Sequence, residues 1–286
     1  MSRRFVVWLA ASLLLAGCSS AAGTAGPSMS PSREYAIVQE AAALLPEDIV
    51  AGGTLSVATS PGLVPFTYVA EDGEITGAEI DLMRELAGRL GLGVQLETDT
   101  FEGVLEGVDA DIYDAGVAGF FDTESRRQAV DFVNYLRGGT QWAAPDGSDA
   151  APDRACGLRV LAIADSLQAT DDIPARTAAC IRDGRRPLRL LEVESSNEAG
   201  ALLLRGEADA FVADAPVVAH LVGMSKGRLV TAGAPYDPQT YGIAVNRAAA
   251  GLREALDVAL QSMLEDGTYA RIIGKWGLAE SSISLN

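Results

Sequence analysis

Few residue types in this sequence could carry out catalysis or hold a metal ion. The 286 residues include one histidine, His220, which excludes most His-based metal sites and allows at most one Ser-His-Asp or Cys-His arrangement. No acid–base partner is near His220 in sequence, so we expect a surface or half-buried histidine. The 22 basic and 39 acidic residues give a net charge of −17, which argues against nucleic acid as a partner. These counts argue against a His-based metal site. We predict no catalytic residue, no metal site and no cofactor.

The N-terminus has the residue order of an export signal. Two arginines precede an uncharged apolar run, residues 5–16, which is shorter than the ~20 residues of a transmembrane helix. The run ends in Leu-Ala-Gly-Cys18, which resembles the lipobox of a bacterial lipoprotein. This resemblance implies cleavage before Cys18, lipid on its sulfur and anchoring to the cell membrane, whereas an ordinary signal peptide with an incidental cysteine is the alternative. We predict a signal peptide at 1–17 and a flexible Ser/Ala/Gly/Pro-rich tether at 18–33.

The other two cysteines, Cys156 and Cys180, are an even pair in a chain that we expect to be exported. A disulfide between them would close a loop of roughly 25 residues and stabilise the fold by ~3 kcal/mol. Two buried free thiols are the alternative. A metal site would need more ligands than two cysteines with no histidine nearby.

Strand and helix patterns alternate along the rest of the chain. The predicted strands are 55–59, 94–96, 112–117, 158–163, 188–193, 208–213, 228–231 and 241–245, with a small hairpin at 66–69 and 75–76. The predicted helices are 78–90, 101–108, 124–129, 171–182, 198–205, 215–222, 251–265 and 269–276. A Pro/Gly/Asp-rich interruption at 145–154 separates two such units. This order predicts an α/β fold with an open, mainly parallel sheet.

Six short motifs occur in an order and spacing that resemble a known family. They are Gly53-Thr54-Leu55 with Pro65-Phe66, Gly73-Glu74-Ile75-Thr76-Gly77 with Ile80-Asp81-Leu82, Thr123-Glu124-Ser125-Arg126 with Val130-Asp131-Phe132, Ala208-Asp209-Ala210 with Asp214, Tyr241-Gly242-Ile243-Ala244, and Asp266-Gly267-Thr268-Tyr269 with Lys275-Trp276-Gly277. Over about residues 45–277 the chain is similar to the polar amino-acid-binding proteins of ABC importers, the family-3 solute-binding proteins. No single motif decides this, but six in register are specific.

The resemblance implies a fold and a function. The fold is of the type II periplasmic-binding-protein class, with two α/β lobes joined by two crossing segments. Lobe 1 would comprise residues 46–141 and 236–286, and lobe 2 residues 142–235. An amino acid or related amine would bind between the lobes, and the protein would deliver it to a membrane permease and its ATPase. The chain would then be a monomeric, extracytoplasmic receptor without enzymatic activity.

The resemblance also indicates which charged groups would hold an amino acid. Arg126 would bind the carboxylate from lobe 1 and Asp214 the ammonium from lobe 2, so only a solute with both charges contacts both lobes. The residues alone leave alternatives open. Arg126 and Arg127 fit two solvated arginines, and Asp214 before Ala-Pro fits a helix N-cap. Asp122, four residues before Arg126, is expected to pair with its guanidinium when no ligand is bound.

Six further residues are predicted to contact the ligand, namely Gly119 through its backbone amide, Phe121, Phe101, Ser166, Ser60 and Leu63. Several positions depart from the family pattern. Phe121 and Leu167 stand where hydroxyl residues are common, and Ser166 would compensate for the second. Asp165 replaces a customary glycine, and Ser60 and Leu63 replace an acid and an aromatic residue. These changes predict a less polar ligand side chain or an unusual amine. In the alternative, Phe121 and Leu167 pack into the lobes and specificity lies elsewhere.

Two other functions are compatible with the same fold. A few relatives of the family are cyclohexadienyl dehydratases, which need a positioned general acid, and the sequence shows no distinctive catalytic constellation. A sensor or scaffold that has lost its ligand is the second possibility, and the changes at Phe121, Asp165 and Leu167 are what favour it.

Overall fold

The computed structural model describes residues 36–284, apart from the side chain of residue 250. The predicted signal peptide, the tether and the lipidation residue Cys18 lie outside the described residues. Within the described range, none of the helices combines the length and the apolar character needed to span a bilayer.

Helices and strands alternate through the described residues. The α-helices are α1 (Gln39–Ala42), α2 (Glu47–Gly52), α3 (Ala78–Arg89), α4 (Phe101–Asp109), α5 (Ile173–Arg182), α6 (Ser196–Leu204), α7 (Ala215–Met224), α8 (Ala250–Glu265) and α9 (Thr268–Lys275). The strands are β1 (Thr54–Thr59), β2 (Tyr68–Val69), β3 (Ile75–Thr76), β4 (Gly93–Thr98), β5 (Ala115–Val117), β6 (Val130–Pro145), β7 (Arg159–Ile163), β8 (Arg189–Val193), β9 (Ala210–Asp214) and β10 (Leu229–Asn246). Short 3-10 turns occur at Arg126–Gln128, Pro152–Arg154 and Ala279–Ser281, and a π-helical turn at Gln168–Asp172.

The main sheet has eight strands in the order β4-β1-β5-β10-β6-β9-β7-β8. Strands β4, β1 and β5 are parallel to each other, and we call them the first half of the sheet. Strands β9, β7 and β8 are also parallel to each other and form the second half. Between the halves, β10 and β6 run antiparallel to each other and to their outer neighbours. The α/β class is therefore confirmed, whereas the sheet is mixed rather than mainly parallel.

Helix α3 shows how local sequence sets the structure near the cavity. The predicted helix 78–90 matches α3, whose residues are all buried apart from Asp81 and Arg84. The helix starts after Gly77, which has a φ of 140°, and a side chain at Gly77 would collide with the Phe66 carbonyl. The amides of Ala78 and Glu79 donate to the carbonyls of Pro65 and Phe66, so the start of the helix is fixed to the preceding loop.

Three predicted elements differ from the structure. The apolar run 112–117 is not one buried strand, because β5 begins at Ala115 and Ile112 is 67% exposed. The segments 228–231 and 241–245 belong to the single long strand β10. The segment 124–129 contains a 3-10 turn in place of an α-helix.

The predicted disulfide is present. Cys156 and Cys180 are bonded with their Cα atoms 5.6 Å apart, and Cys180 is buried in a small core of the second half. The bond fastens the start of β7 to helix α5.

Candidate functional site

A cavity of about 290 Å³ lies between the two halves of the sheet. Its walls come from the carboxyl ends of the parallel strands and the loops that follow them, which is where open α/β sheets bind ligands. All eight predicted ligand-contact residues line it, namely Ser60, Leu63, Phe101, Gly119, Phe121, Arg126, Ser166 and Asp214. The volume suits one small solute. Sequence reasoning thus located the cavity, while the contact made by each residue remains a prediction.

Arg126 is held beside the cavity by groups that leave its charge unpaired. Its Nη1 donates to the Phe121 carbonyl at 3.0 Å, and its guanidinium carbon lies 5.3 Å from the ring centre of Phe101 and 5.7 Å from that of Phe120. Within residues 36–284, no carboxylate lies within ion-pair distance of Arg126. The half-buried guanidinium therefore has donors free for an anion.

The neighbouring arginine has a different role. Arg127 is exposed and donates from Nη2 to Asp122 Oδ2 at 2.8 Å, and Asn134 donates to the same oxygen at 2.9 Å. The prediction that Asp122 pairs with Arg126 is therefore wrong. The chain between Asp122 and Arg126 is not α-helical, so residues four apart do not share a face there.

Asp214 lies at the end of β9, on the second half of the sheet. Its Oδ1 accepts a hydrogen bond from Gln168 Nε2 at 2.9 Å, and the same amide donates to Thr140 Oγ1 at 3.1 Å. Asp214 occupies the N-cap position of α7, but its side chain makes no capping hydrogen bond. The carboxylate thus does not cap the helix that it precedes, and Asp214 lines the cavity.

Burial changes the proton affinity of both charged groups. Burial raises the pKa of Asp214 to about 7, against the opposing effects of Tyr241, Gln168 and the charge of Arg126. Burial also lowers the pKa of Arg126, while the charges of Asp214 and Asp171 oppose this change. Arg126 stays cationic because a guanidinium is not deprotonated in proteins. The charge of Asp214, by contrast, depends on pH near neutrality.

Gly119 lines the cavity, but its amide is already used. Its N–H donates to Glu79 Oε1 at 2.9 Å, so contact of this amide with a ligand, which stays a prediction, would compete with Glu79. Gly119 has a φ of 69°, and a Cβ would lie 2.5 Å from Cδ2 of Leu63. Glycine is required here by backbone conformation and by the closeness of Leu63.

Phe121 packs mainly into the core. Its side chain is 4% exposed and its ring centre lies 4.6 Å from that of Tyr241. This matches the alternative in which Phe121 packs into the protein rather than forming an apolar specificity surface. Leu167 is half-buried and also lines the cavity.

The loop after β7 adds polar groups to the cavity. Ser166 Oγ donates to the Ile163 carbonyl at 2.6 Å, so the hydroxyl proton is used within the loop. Asp165 has a φ of 59°, a left-handed conformation that favours glycine and that aspartate tolerates better than most residues. Asp165 and Glu194 are both exposed and line the cavity.

Two residues of the site were missed by sequence reasoning. Gln168, which is 2% exposed, orients Asp214, and Glu79, which is 0% exposed, holds Gly119 and accepts the Tyr135 hydroxyl at 2.6 Å. Gln168 directly follows the positions that were considered. Glu79 stands in the first turn of α3, where an acid usually indicates helix-dipole stabilisation, so no signal pointed to its burial.

Comparisons with known proteins agree with this architecture. The model of the family described as bacterial extracellular solute-binding proteins, family 3, matches residues 55–279. The arginine-binding protein ArgT of Corynebacterium glutamicum is 35% identical over 245 residues, which cover 85% of this chain and 80% of ArgT. The ABC transporter glutamine-binding protein GlnH of Bacillus subtilis is 28% identical over 211 residues, which cover 71% of this chain and 73% of GlnH.

Solved structures share the fold. An ancestral arginine-binding protein bound to arginine superposes with a TM-score of 0.69 at 28% identity, covering 78% of this chain and 98% of that one. An ancestral amino acid-binding protein described as a precursor of cyclohexadienyl dehydratase has a TM-score of 0.71 at 24% identity, covering 80% of this chain and 98% of that one, and shows the fold alone. The fold is thus the type II periplasmic-binding-protein class, and the chain belongs to the bacterial extracellular solute-binding proteins, family 3.

Proposed function

We propose that this protein is an extracytoplasmic receptor that binds one α-amino acid in the cavity and delivers it to an ABC importer. The observation that carries the proposal is a guanidinium, Arg126, and a carboxylate, Asp214, that line one cavity from different halves of the sheet. Within residues 36–284, neither charge has an ion-pair partner at contact distance. An α-amino acid has one charge complementary to each. ABC-transporter and amino-acid binding are also what the names of the relatives state.

The two contacts are proposed as follows. The solute carboxylate binds the guanidinium fork of Arg126, and the ammonium donates to Asp214. The boundaries of lobe 1 (46–141 and 236–286) and lobe 2 (142–235) are part of the proposal, because a ligand held by both walls stabilises their closed arrangement. Removal of water strengthens both ion pairs.

The side chain of the solute is proposed to be cationic. The cavity is lined by the carboxylates of Asp165 and Glu194 in addition to Asp214, and Phe121 is packed into the core and adds little apolar surface. ArgT of C. glutamicum, at 35% identity, is named as an arginine-binding protein. Arginine is therefore the first candidate, in contrast to the less polar side chain predicted from the sequence. Competition among arginine, glutamate and leucine distinguishes these, and preference for leucine would contradict a cationic side chain and support a less polar one.

Thermal unfolding tests the function. The chain from residue 19 onward, which keeps every described residue, is heated with each amino acid and with simple amines. A ligand at 1,000 times its Kd adds ~4 kcal/mol, which corresponds to roughly 8–16 °C for a chain of this size. One large shift that is lost in both Arg126→Ala and Asp214→Asn supports the proposal. If no compound shifted the unfolding temperature, the proposal would be contradicted and a ligand-free sensor favoured. Turnover of prephenate or arogenate would favour the dehydratase.

Membrane attachment through lipid on Cys18 is a separate part of the proposal. It is supported by the order of charged, apolar and small residues before Cys18 in the sequence. Mass spectrometry of the protein from its native membrane would show an acylated N-terminal cysteine. A soluble protein cleaved elsewhere would contradict this assignment and leave the binding proposal unaffected.

A further inference from the structure

Two buried side-chain oxygens, Glu79 Oε2 and Tyr241 Oη, have no hydrogen-bond partner among the described residues. Both belong to the layer directly behind the cavity wall. Glu79 accepts the amide of Gly119, and the Tyr241 ring stacks on Phe121, and both of these contacted residues line the cavity. Buried oxygens of this kind are costly, and therefore call for an explanation.

Glu79 is held through one carboxyl oxygen only. Its Oε1 accepts both the Gly119 amide at 2.9 Å and the Tyr135 hydroxyl at 2.6 Å. Burial raises the pKa of Glu79 to about 7, the two hydrogen bonds oppose this change, and the charge of Asp214 adds to it. Among the described residues, no cation lies within ion-pair distance of this carboxyl.

Asp214, on the second half of the sheet, is the acid whose charge raises the pKa of Glu79. Besides Glu79, the groups that act on it are Tyr241 of β10, Gln168 of the π-helical turn and the cation Arg126. Burial outweighs these favourable contacts, so its pKa also lies near 7.

Tyr241 connects the two acids. The charges of both Asp214 and Glu79 raise its pKa, and the phenol remains un-ionised. Its ring centre lies 6.5 Å from that of Tyr135, which donates to Glu79. Two buried acids of like charge thus act on the same phenol, and full ionisation of both is unfavourable.

We infer that Glu79 is a positioning residue of the binding site, which with Asp214 and Tyr241 retains one exchangeable proton when the cavity is empty and releases it when an ammonium group binds. This inference rests on the proposed function, because it requires an ammonium group at Asp214. The step breaks one carboxyl O–H bond, and the proton passes to bulk water. The ammonium keeps its own protons, and its positive charge stabilises the carboxylate that has lost its proton.

Titration calorimetry with L-arginine, or with the amino acid that gives the largest thermal shift, tests the inference. Measurements at pH 6.5 in two buffers of different ionisation enthalpy count the protons released. We expect between about half a proton and one proton per ligand, decreasing toward zero at pH 9, and an affinity that falls roughly tenfold per pH unit well below 7. Binding without proton release and with constant affinity from pH 5.5 to 8.5 would overturn the inference but not the proposed function.

Glu79→Gln separates this role from a merely structural one. Glutamine retains the acceptor for Gly119 and Tyr135 but has no negative charge, so Asp214 loses a like charge and ionises at lower pH. The affinity decrease should move to lower pH by roughly one unit, with less proton release at pH 6.5. The matched control is Glu106→Gln, at an exposed glutamate of α4, which should reproduce the wild-type profile. An unchanged pH profile in Glu79→Gln would contradict the inference.

The empty protein provides a test that does not need a ligand. A pKa near 7 in the folded state, against about 4 when unfolded, means that the folded chain holds more protons between pH 4 and 7. These acids therefore make stability fall as pH rises through that window. The difference in unfolding midpoint between wild type and Glu79→Gln, or Asp214→Asn if the first does not fold, should change across the window. Parallel curves would overturn the inference even if no amino acid binds.

Discussion

The two charged groups that line the cavity, Arg126 and Asp214, differ in how their surroundings stabilise the charge. Arg126, on the side of the first half of the sheet, is half-buried and lies against the rings of Phe101 and Phe120. Asp214, at the end of β9, is buried and is supported by neutral donors, chiefly Gln168. Aromatic faces stabilise a cation without neutralising it, whereas burial beside neutral donors makes a carboxylate costly to ionise.

The difference shows how one cavity can combine a charge that is independent of pH with a charge that depends on pH. The guanidinium keeps its charge at every pH at which the protein is folded. The carboxylate changes its charge near neutrality, because burial raises its pKa to about 7. Under the proposed function, the solute carboxylate is therefore bound by Arg126, whose charge does not change with pH. The solute ammonium is bound by Asp214, whose charge depends on pH. Four variants test this difference between the two charged groups, from the largest expected effect on affinity to the smallest.

Arg126→Ala removes the permanent charge and should have the largest effect. Loss of one partner of a desolvated charge pair costs about 3 kcal/mol or more, so binding of the amino acid should weaken more than a hundredfold in calorimetry. Arg127→Ala is the matched control, since that side chain is 57% exposed and pairs with Asp122. It should leave the affinity within about threefold, because exposed ion pairs contribute little. Equal losses in the two variants would contradict the assignment of Arg126.

Gly119→Ala changes the wall between Arg126 and Glu79. The added Cβ lies 2.5 Å from Cδ2 of Leu63, and the backbone φ of 69° disfavours any other residue. We expect about tenfold weaker binding and a loss of about 1–2 kcal/mol in the free energy of unfolding. Gly73→Ala is the control, because Gly73 has a φ of 87° and open space around its Cα. The control should lose stability alone, and weaker binding in both variants would show that strain, not cavity shape, is responsible.

Gln168→Leu removes the neutral support of Asp214. A buried acceptor that loses its donor costs roughly 1–3 kcal/mol, so the affinity at pH 7.5 should fall about tenfold. The pKa of Asp214 should rise further, so the affinity loss should be greater at pH 6.5 than at pH 8.5. Gln95→Leu, at an exposed glutamine of β4, serves as the control. A loss that is independent of pH would show that Gln168 contributes shape but not charge stabilisation.

Replacement of both Cys156 and Cys180 by serine should affect affinity least. The disulfide lies in the half of the sheet that carries Asp214, with a sequence separation of 24 residues. Denaturant unfolding should show a loss of about 3 kcal/mol, because the unfolded chain regains loop entropy. The affinity should stay within about twofold of wild type. If binding fell more than tenfold, the position of Asp214 would depend on the crosslink.

Local patterns made much of the fold predictable from the sequence. Helix α3 was predictable because its apolar residues recur at helical spacing, and β5 was placed too early because Ile112 extends the apolar run without being buried. The 16-residue strand β6 follows no alternating pattern, since it lies at the centre of the sheet and is buried over much of both faces. Only the resemblance to a family indicated that two segments cross between the lobes.

The residues of the site were likewise predictable only where a local motif contains them. Arg126 and Asp214 belong to motifs, so both were placed at the cavity. Glu79 contacts Gly119 across 40 residues of sequence, and Gln168 contacts Asp214 across 46, so neither partnership leaves a local signal. The expected pairing of Asp122 with Arg126 failed because the chain from Asp122 to Ser125 is not helical and the 3-10 turn begins only at Arg126.

The two long central strands, β6 and β10, also determine how the protein unfolds. Strand β10 pairs with β5 of the first half, β6 pairs with β9 of the second half, and β6 and β10 pair with each other along most of their length. Neither half can melt without exposing the backbone edge of a strand on which the other half depends. We therefore expect the described residues to unfold together, so that a solute bound at the cavity stabilises both halves of the sheet.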